Sequence, residues 1–150
     1  MKNNVLFFFL VMVLLLPLSL LAQDWRTNWD DAKSEAEKEN KKLILVFSGS
    51  DWCIPCIKLE KEVWENSTFN EYAKDNYVLF RADFPKRKKN KLDNITQKRN
   101  DMLAAEYNPK GYFPFVVIID SQGNVRGLLG YEKKSPKDYI TRINQFLIEK

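Results

Sequence analysis

The distribution of apolar and polar positions divides the chain into a hydrophobic leader and a longer region of alternating helix and strand patterns. The leader is a nearly continuous apolar run over residues 5–21, preceded by Lys2 and followed by Ala22. A basic start, an apolar middle and a small residue at the end are typical of a secretory signal peptide. The sequence therefore predicts a signal peptide over residues 1–22 and a single domain over residues 23–150.

An uncleaved membrane anchor is the alternative interpretation of the leader, because its length approaches the ~18 apolar residues that span a bilayer. No cysteine stands at the predicted cleavage site, which argues against a lipoprotein. In either case the domain is exported, and disulfide bonds persist outside the cytoplasm. We therefore expect the protein to be periplasmic or secreted.

Short apolar runs predict three buried strands, and segments with helical spacing separate them. The strand runs are residues 43–47, 77–82 and 115–119, and a turn followed by residues 125–131 predicts an antiparallel hairpin. The predicted helices cover residues 28–40, 53–64, 68–74, 95–107 and a last segment that begins at Ser135-Pro136. Asn28 or Thr27 is the expected cap of the first helix, and Ser135 is the expected cap of the last, with Pro136 at its first position. This order predicts an α/β fold with a central mixed β-sheet flanked by helices on both faces.

Apolar residues also predict which faces of the last two helices are buried. The helix over residues 95–107 has Ile95, Met102, Leu103 and Ala105 at helical spacing, which indicates its buried face. Tyr139, Ile140, Ile143, Phe146 and Leu147 give the last helix an apolar face. The tryptophans at positions 25, 29 and 64 are interpreted as core or edge packing.

The composition excludes several kinds of catalytic and metal site, because the chain has two cysteines and no histidine. Serine–histidine and cysteine–histidine catalysis and histidine-ligated metal sites are excluded. Two cysteines cannot complete a structural zinc site, which usually needs four ligands. We expect no metal and no cofactor. Carboxylate, lysine and cysteine redox chemistry remain.

Charge adds one local feature to this picture. The formal net charge of +4 is mild and predicts no nucleic-acid partner. One dense basic run, Lys86-Arg87-Lys88-Lys89-Asn90-Lys91, lies between a strand pattern and a helix pattern and contains no aromatic residue. A solvated loop is the favoured interpretation, and an electrostatic docking patch for an acidic partner is the alternative.

Both cysteines belong to one motif, Trp52-Cys53-Ile54-Pro55-Cys56, between a predicted strand and a predicted helix. Unpaired N–H groups and the dipole at a helix start favour a thiolate, so the pKa of Cys53 is expected to be lowered. The spacing of three places both sulfurs on one helical face, and Pro55 suits the first turn. Cys53 is the expected attacking thiol and Cys56 the resolving one.

Two other uses of the cysteine pair remain open. A permanent disulfide would have only a structural role in the turn. Closing such a short loop adds little stability to the fold. Two thiolates could also transfer a soft metal ion such as Cu(I). Redox exchange is the favoured interpretation of the motif.

The stretch from Ser48 to Cys56 resembles the active site of the thioredoxin superfamily, and a second motif, Gly111-Tyr112-Phe113-Pro114, strengthens the resemblance. It implies a thioredoxin-like fold in which Pro114 is cis and Phe113-Pro114 binds the substrate chain. It also implies that Trp52 shields the site from water. Within the superfamily, the chain most resembles small secreted thioredoxin-like proteins and the C-terminal domain of the reductase DsbD.

The chain departs from this family pattern at one position. Family members usually have a buried Asp six residues before the first cysteine, whereas this chain has Phe47. Glu60, four residues after Cys56, shares its helical face and could accept its proton. The alternative is that Glu60 is an ordinary surface carboxylate. Asp51 is interpreted as a turn former.

The resemblance implies a thiol:disulfide oxidoreductase that acts on protein disulfides or thiols. Pro55 beside Cys56 favours a reductase, recharged by a membrane thiol donor of DsbD type, and a monomer is expected. A non-catalytic module that binds polypeptides or transfers metal is the alternative function.

Overall fold

The computed structural model describes residues 24–146 of the protein. The predicted signal peptide over residues 1–22 lies outside the described part of the chain. None of the helices in residues 24–146 is both long enough and apolar enough to cross a bilayer.

The described residues form five strands and five α-helices. The strands are β1 (Trp25–Arg26), β2 (Lys42–Ser48), β3 (Tyr77–Asp83), β4 (Phe115–Ile119) and β5 (Val125–Leu129). The helices are α1 (Trp29–Lys38), α2 (Ile54–Leu59), α3 (Ser67–Asn76), α4 (Asn94–Tyr107) and α5 (Pro136–Gln145). A π-helical turn (Glu60–Trp64) continues α2, and a short 3₁₀ turn (Lys88–Asn90) separates β3 from α4.

Side-chain caps begin the first and last helices where the sequence predicts them. The Asn28 carboxamide accepts hydrogen bonds from the backbone N–H groups of Asp30 and Asp31 at the start of α1. The Ser135 hydroxyl accepts from the N–H of Asp138, and Pro136 occupies the first turn of α5.

A five-stranded mixed sheet in the order β1-β3-β2-β4-β5 forms the centre of the fold. β2 pairs in parallel with β3, and Ser48 lies opposite Asp83 at the end of both strands. β2 also pairs antiparallel with β4, so that Phe47 lies opposite Phe115. The ends of β2 and β3 and the start of β4 therefore meet at one edge of the sheet. The predicted mixed sheet is confirmed.

Helices cover both faces of the sheet, as predicted, because successive residues of β2 point to opposite sides. Ile44 and Val46 join one core cluster with residues of α2, α3 and α5. Leu43, Leu45 and Phe47 join a second cluster with residues of α1 and α4. Both faces are apolar, which explains why β2 is a continuous hydrophobic run.

The predicted buried face of α4 is wrong in three of its four positions. Ile95 is 84% exposed and Met102 is 59% exposed, and Ala105 is exposed as well, whereas Leu103 is buried. The helix instead buries Asn100, whose side-chain amide donates a 2.8 Å hydrogen bond to the carbonyl oxygen of Asp83. A satisfied polar residue can occupy the inner face of a helix, and hydrophobic spacing alone does not reveal it.

Two elements were not predicted. β1 is only two residues long and pairs with β3 through Trp25 and Arg26. The π-helical turn carries a hydrogen bond from the N–H of Glu65 to the carbonyl of Glu60. This wider turn buries both Val63 and Trp64, and Trp64 contacts three aromatic rings, at positions 25, 69 and 139.

Candidate active site

A disulfide joins Cys53 and Cys56 at the start of α2, with 5.2 Å between their Cα atoms. Cys53 caps the helix, and its Sγ accepts from the N–H of Cys56 at 3.3 Å. The N–H of Gly49 lies 3.5 Å from the Sγ of Cys56. Each sulfur therefore has a backbone N–H beside it, which would stabilise a thiolate after reduction of the bond.

The local geometry explains why a proline and a glycine occupy two positions near the disulfide. Pro55 lies in the first turn of α2, where its missing N–H leaves no helical hydrogen bond unmade. Gly49 faces the indole of Trp52, and a Cβ at this position would come within 2.4 Å of a ring atom. Only glycine lets the loop after β2 approach the Trp52 ring this closely.

Trp52 connects the cysteine motif with the loops that follow β3 and α4. Its indole N–H donates a 2.7 Å hydrogen bond to the carbonyl of Phe84. Its ring meets that of Phe113 edge to face, with the centroids 5.4 Å apart. The ammonium of Lys86 lies 3.8 Å from the ring centroid, a close cation–π contact. The structure therefore packs Phe113 against Trp52, the residue that precedes Cys53.

The Phe113-Pro114 peptide bond is cis, and Pro114 is buried directly before β4. Asn108, which is buried, holds the preceding loop by accepting from the N–H of Tyr112 and donating to its carbonyl, both at 2.9 Å. Sequence reasoning missed Asn108, because its role depends on a loop conformation that no local pattern encodes.

Phe47 fills the position at which the family usually has a buried Asp. The ring is fully buried and packs against Phe84 and Phe115. This side chain has no proton to exchange, so any proton acceptor for the cysteines must lie elsewhere.

Glu60 and Cys56 line one open cavity of about 320 Å³, together with Ser48, Ser50 and Arg81. The Glu60 carboxylate forms a partly buried ion pair with the Arg81 guanidinium. That guanidinium also lies over the Trp25 ring, 4.2 Å from its centroid. Arg81 was missed from the sequence, although a single basic residue inside an otherwise apolar strand was the available signal.

Asp51, which was interpreted as a turn former, also forms hydrogen bonds with the basic run. Its carboxylate accepts from the N–H groups of Lys86 at 2.9 Å and Arg87 at 3.0 Å, and from the Asn90 side chain at 2.8 Å. The hydrogen bond from Lys86, with help from the other two donors, lowers the pKa of Asp51 below its ordinary value. The basic run thus lies next to the cysteine motif, a proximity that the sequence does not show.

Comparison with known proteins agrees with this geometry. A family model described as "Thioredoxin-like" matches residues 24–121. The chain belongs to the thioredoxin-like family. With its disulfide-forming cysteine pair at the start of α2, it has the site of a thiol:disulfide oxidoreductase of that family.

Individual relatives give the extent of the similarity. The disulfide bond reductase DsbH of Chlamydia pneumoniae is 28% identical over 131 residues, which cover 87% of this chain and 76% of DsbH. A solved structure of "DsbH Oxidoreductase" superposes with a TM-score of 0.78 at 26% identity, covering 89% of this chain and 90% of that one. The oxidised C-terminal domain of Neisseria meningitidis DsbD shares the fold, with a TM-score of 0.53, 17% identity and coverage of 81% and 97%.

Asp51→Asn should destabilise the protein at neutral pH, because an amide can accept hydrogen bonds through only one of its two polar atoms. The lowered pKa of Asp51 means that the carboxylate stabilises the fold fully above its ordinary pKa of about 3.9. This contribution is lost as the pH falls through the lowered value. The Tm difference between wild type and variant should therefore be largest above pH 5 and shrink in acid. Asp75→Asn, at an exposed site on α3, is the control, and a pH-independent difference would contradict the prediction.

Proposed function

We propose that the protein reduces disulfide bonds in other proteins outside the cytoplasm. The observation that carries this proposal is the Cys53–Cys56 disulfide at a helix start, directly after Trp52, whose ring packs against Phe113. The similarity to a disulfide bond reductase of Chlamydia pneumoniae supports the reducing direction. The hydrophobic leader, which has the pattern of a signal peptide, supports a location outside the cytoplasm.

In the reduced enzyme, the Cys53 thiolate attacks one sulfur of the substrate disulfide. A bond forms between Cys53 and that sulfur, the substrate S–S bond breaks, and the second substrate sulfur leaves as a thiolate that takes up a proton. Cys56 then loses its proton and attacks the Sγ of Cys53. The mixed disulfide breaks, the substrate departs as a dithiol, and the enzyme retains the Cys53–Cys56 disulfide, so two electrons have passed to the substrate.

The surface around the disulfide suits an extended polypeptide. Ile54, next to Cys53, is 67% exposed, and Tyr112, next to Phe113, is 54% exposed. Exposed apolar side chains next to the residues of a reactive site can take up a substrate segment. We assign Phe113 and Pro114 to this contact, with Trp52 covering the side of the site that faces the loop after β3.

Each reduction leaves the enzyme oxidised, so a second thiol partner must restore the dithiol. We propose that a membrane thiol donor of DsbD type does this, since the domain is expected to lie outside the reducing cytoplasm. A monomer leaves the cysteine motif open to both partners in turn.

The cysteine variants test the enzymatic function. Cys53→Ser should abolish disulfide reduction, because it removes the attacking thiol. Cys56→Ser should accumulate a mixed disulfide between Cys53 and the substrate, visible as a reducible adduct on a non-reducing gel. A polypeptide-binding module would keep its biological activity in Cys53→Ser, and a metal carrier would bind Cu(I) stoichiometrically when reduced.

The reduction potential of the cysteine pair tests the direction. Equilibration with glutathione redox buffers should give a value near that of thioredoxin, about −270 mV, because the proposed enzyme donates electrons. A value near that of DsbA, about −120 mV, would instead identify an oxidase.

Glu60 is proposed as the acceptor of the Cys56 proton during resolution of the mixed disulfide. Two observations support it: both side chains line one cavity, and Phe47 leaves the usual position without a carboxylate. The ion pair with Arg81 holds the Glu60 carboxylate beside this cavity.

Glu60→Gln should slow the resolution of a preformed mixed disulfide by about tenfold or more near neutral pH, a modest effect for the loss of a general base. The defect should shrink at higher pH, because the Cys56 thiol then ionises without help. Glu62→Gln changes a neighbouring carboxylate that is hydrogen-bonded to Tyr131 and serves as the control. Stopped-flow measurement across pH is the test, and identical profiles for wild type and Glu60→Gln would refute the role.

A further inference from the structure

The basic loop, residues 86–91, is the strongest concentration of charge in the sequence that the proposed reaction leaves unused. It contains five of the chain's 24 basic side chains and no acidic one. Subtracting those five leaves 19 basic side chains against 20 acidic ones in the rest of the chain. The net positive charge of the protein is therefore attributable to this loop.

The basic loop is fastened directly to the cysteine motif. Asp51, two residues before Cys53, accepts two backbone N–H groups and one side-chain amide of the loop. Ser50 donates from its N–H and its hydroxyl to the Asp83 carboxylate at the end of β3. The segment that leads into the loop and the segment that leads into Cys53 thus share a continuous set of hydrogen bonds.

Lys86 brings the charge of the basic loop to the edge of the site. Its ammonium lies over the Trp52 ring, which precedes Cys53 and contacts Phe113. Lys88 and Lys89 follow in the exposed 3₁₀ turn. A polypeptide bound with its disulfide at Cys53 would therefore come close to the cationic side chains of this loop.

Lys88, Lys89 and Lys91 are exposed and available to a partner, whereas Lys86 lies over Trp52 and the charge of Arg87 acts on the Asp51 carboxylate. Within residues 24–146, none of its five basic side chains forms an ion pair with a carboxylate. Its backbone is already ordered by Asp51, so a partner does not bear the full entropic cost of fixing the loop. Exposed, preorganised charge of one sign attracts the opposite sign and raises the rate of association.

We propose that the basic loop is a docking surface for acidic residues that flank the reactive disulfide of a protein substrate. This inference rests on the proposed disulfide reductase function and specifies the substrate class of the same site. An acidic polypeptide fits better than a nucleic acid, because residues 86–91 offer no aromatic ring on which a base could stack. The attachment of the loop to the cysteine motif favours a partner that also presents a disulfide.

Two synthetic peptides with the same internal disulfide test the docking surface. One has two Asp residues on each side of the bridge, and the other has Asn at those positions. The full-length protein should reduce the Asp peptide about tenfold faster in kcat/KM at low ionic strength, within the range of electrostatic steering. The advantage should fall to about twofold or less in 0.5 M salt, because the screening length is then well below 10 Å. The Asp peptide should also bind more tightly in equilibrium titrations.

Lys88→Glu/Lys89→Glu is the diagnostic variant, because both side chains are exposed and neither contributes to the Asp51 hydrogen bonds. The preference for the Asp peptide should disappear or reverse. Lys38→Glu/Lys74→Glu makes the same change in net charge at two exposed positions, one before β2 and one before β3, at the end of the sheet away from Cys53. This control should keep the preference.

The outcomes separate the two proposals. Equal rates and equal affinities for the two peptides would overturn the docking surface while leaving the reductase function intact. Selective binding of the Asp peptide without reduction of either peptide would support the surface and overturn the reductase function. Binding to phosphatidylglycerol vesicles or to single-stranded DNA that depends on Lys88 and Lys89, without peptide preference, would overturn the acidic-polypeptide assignment.

Discussion

The burial of β2 between two neighbouring strands is the constraint on which the rest of the structure depends. β2 pairs along its whole length with β3 on one side and with all of β4 on the other. The chain that leaves its carboxyl end enters the cysteine motif, and the same edge receives the end of β3 and the start of β4. The three segments that build the site are therefore positioned by backbone pairing, which tolerates little movement because both sheet faces are covered by apolar cores.

Trp52 is the point at which these three segments meet. It contacts Gly49 from its own loop, Phe84 and Lys86 from the segment after β3, and Phe113 from the segment before β4. A single large side chain with one polar atom can hold three loops by packing, because it combines a wide apolar surface with one directed hydrogen bond. The environment of Cys53 thus depends on residues that are 30 to 60 positions away in the chain.

The sequence predicted the features that are local. The cysteine motif, the central strands, the hairpin and the Ser135 and Asn28 caps each depend on neighbouring residues, and hydrophobic period or motif spacing is sufficient for them. The prediction of the buried face of α4 was wrong because Asn100 occupies a position where an apolar residue was expected. Its side chain is satisfied there by a hydrogen bond to a carbonyl that is distant in the sequence. The Glu60–Arg81 pair and the attachment of Asp51 to the basic loop join residues 21 to 39 positions apart. Such contacts become visible only when the sheet register is known.

The basic loop could be redesigned without changing the sheet, because the two make few contacts. Residues 86–91 contribute no buried side chain to either core, and their contacts with the site run through Asp51 and Trp52. The sheet would therefore tolerate replacement of this segment by one of different length or sign, provided that two N–H groups still reach the Asp51 carboxylate. Under the docking role proposed for residues 86–91, the fold separates a fixed cysteine motif from an exchangeable recognition segment. Replacing that segment would then change which substrates are preferred by the same disulfide.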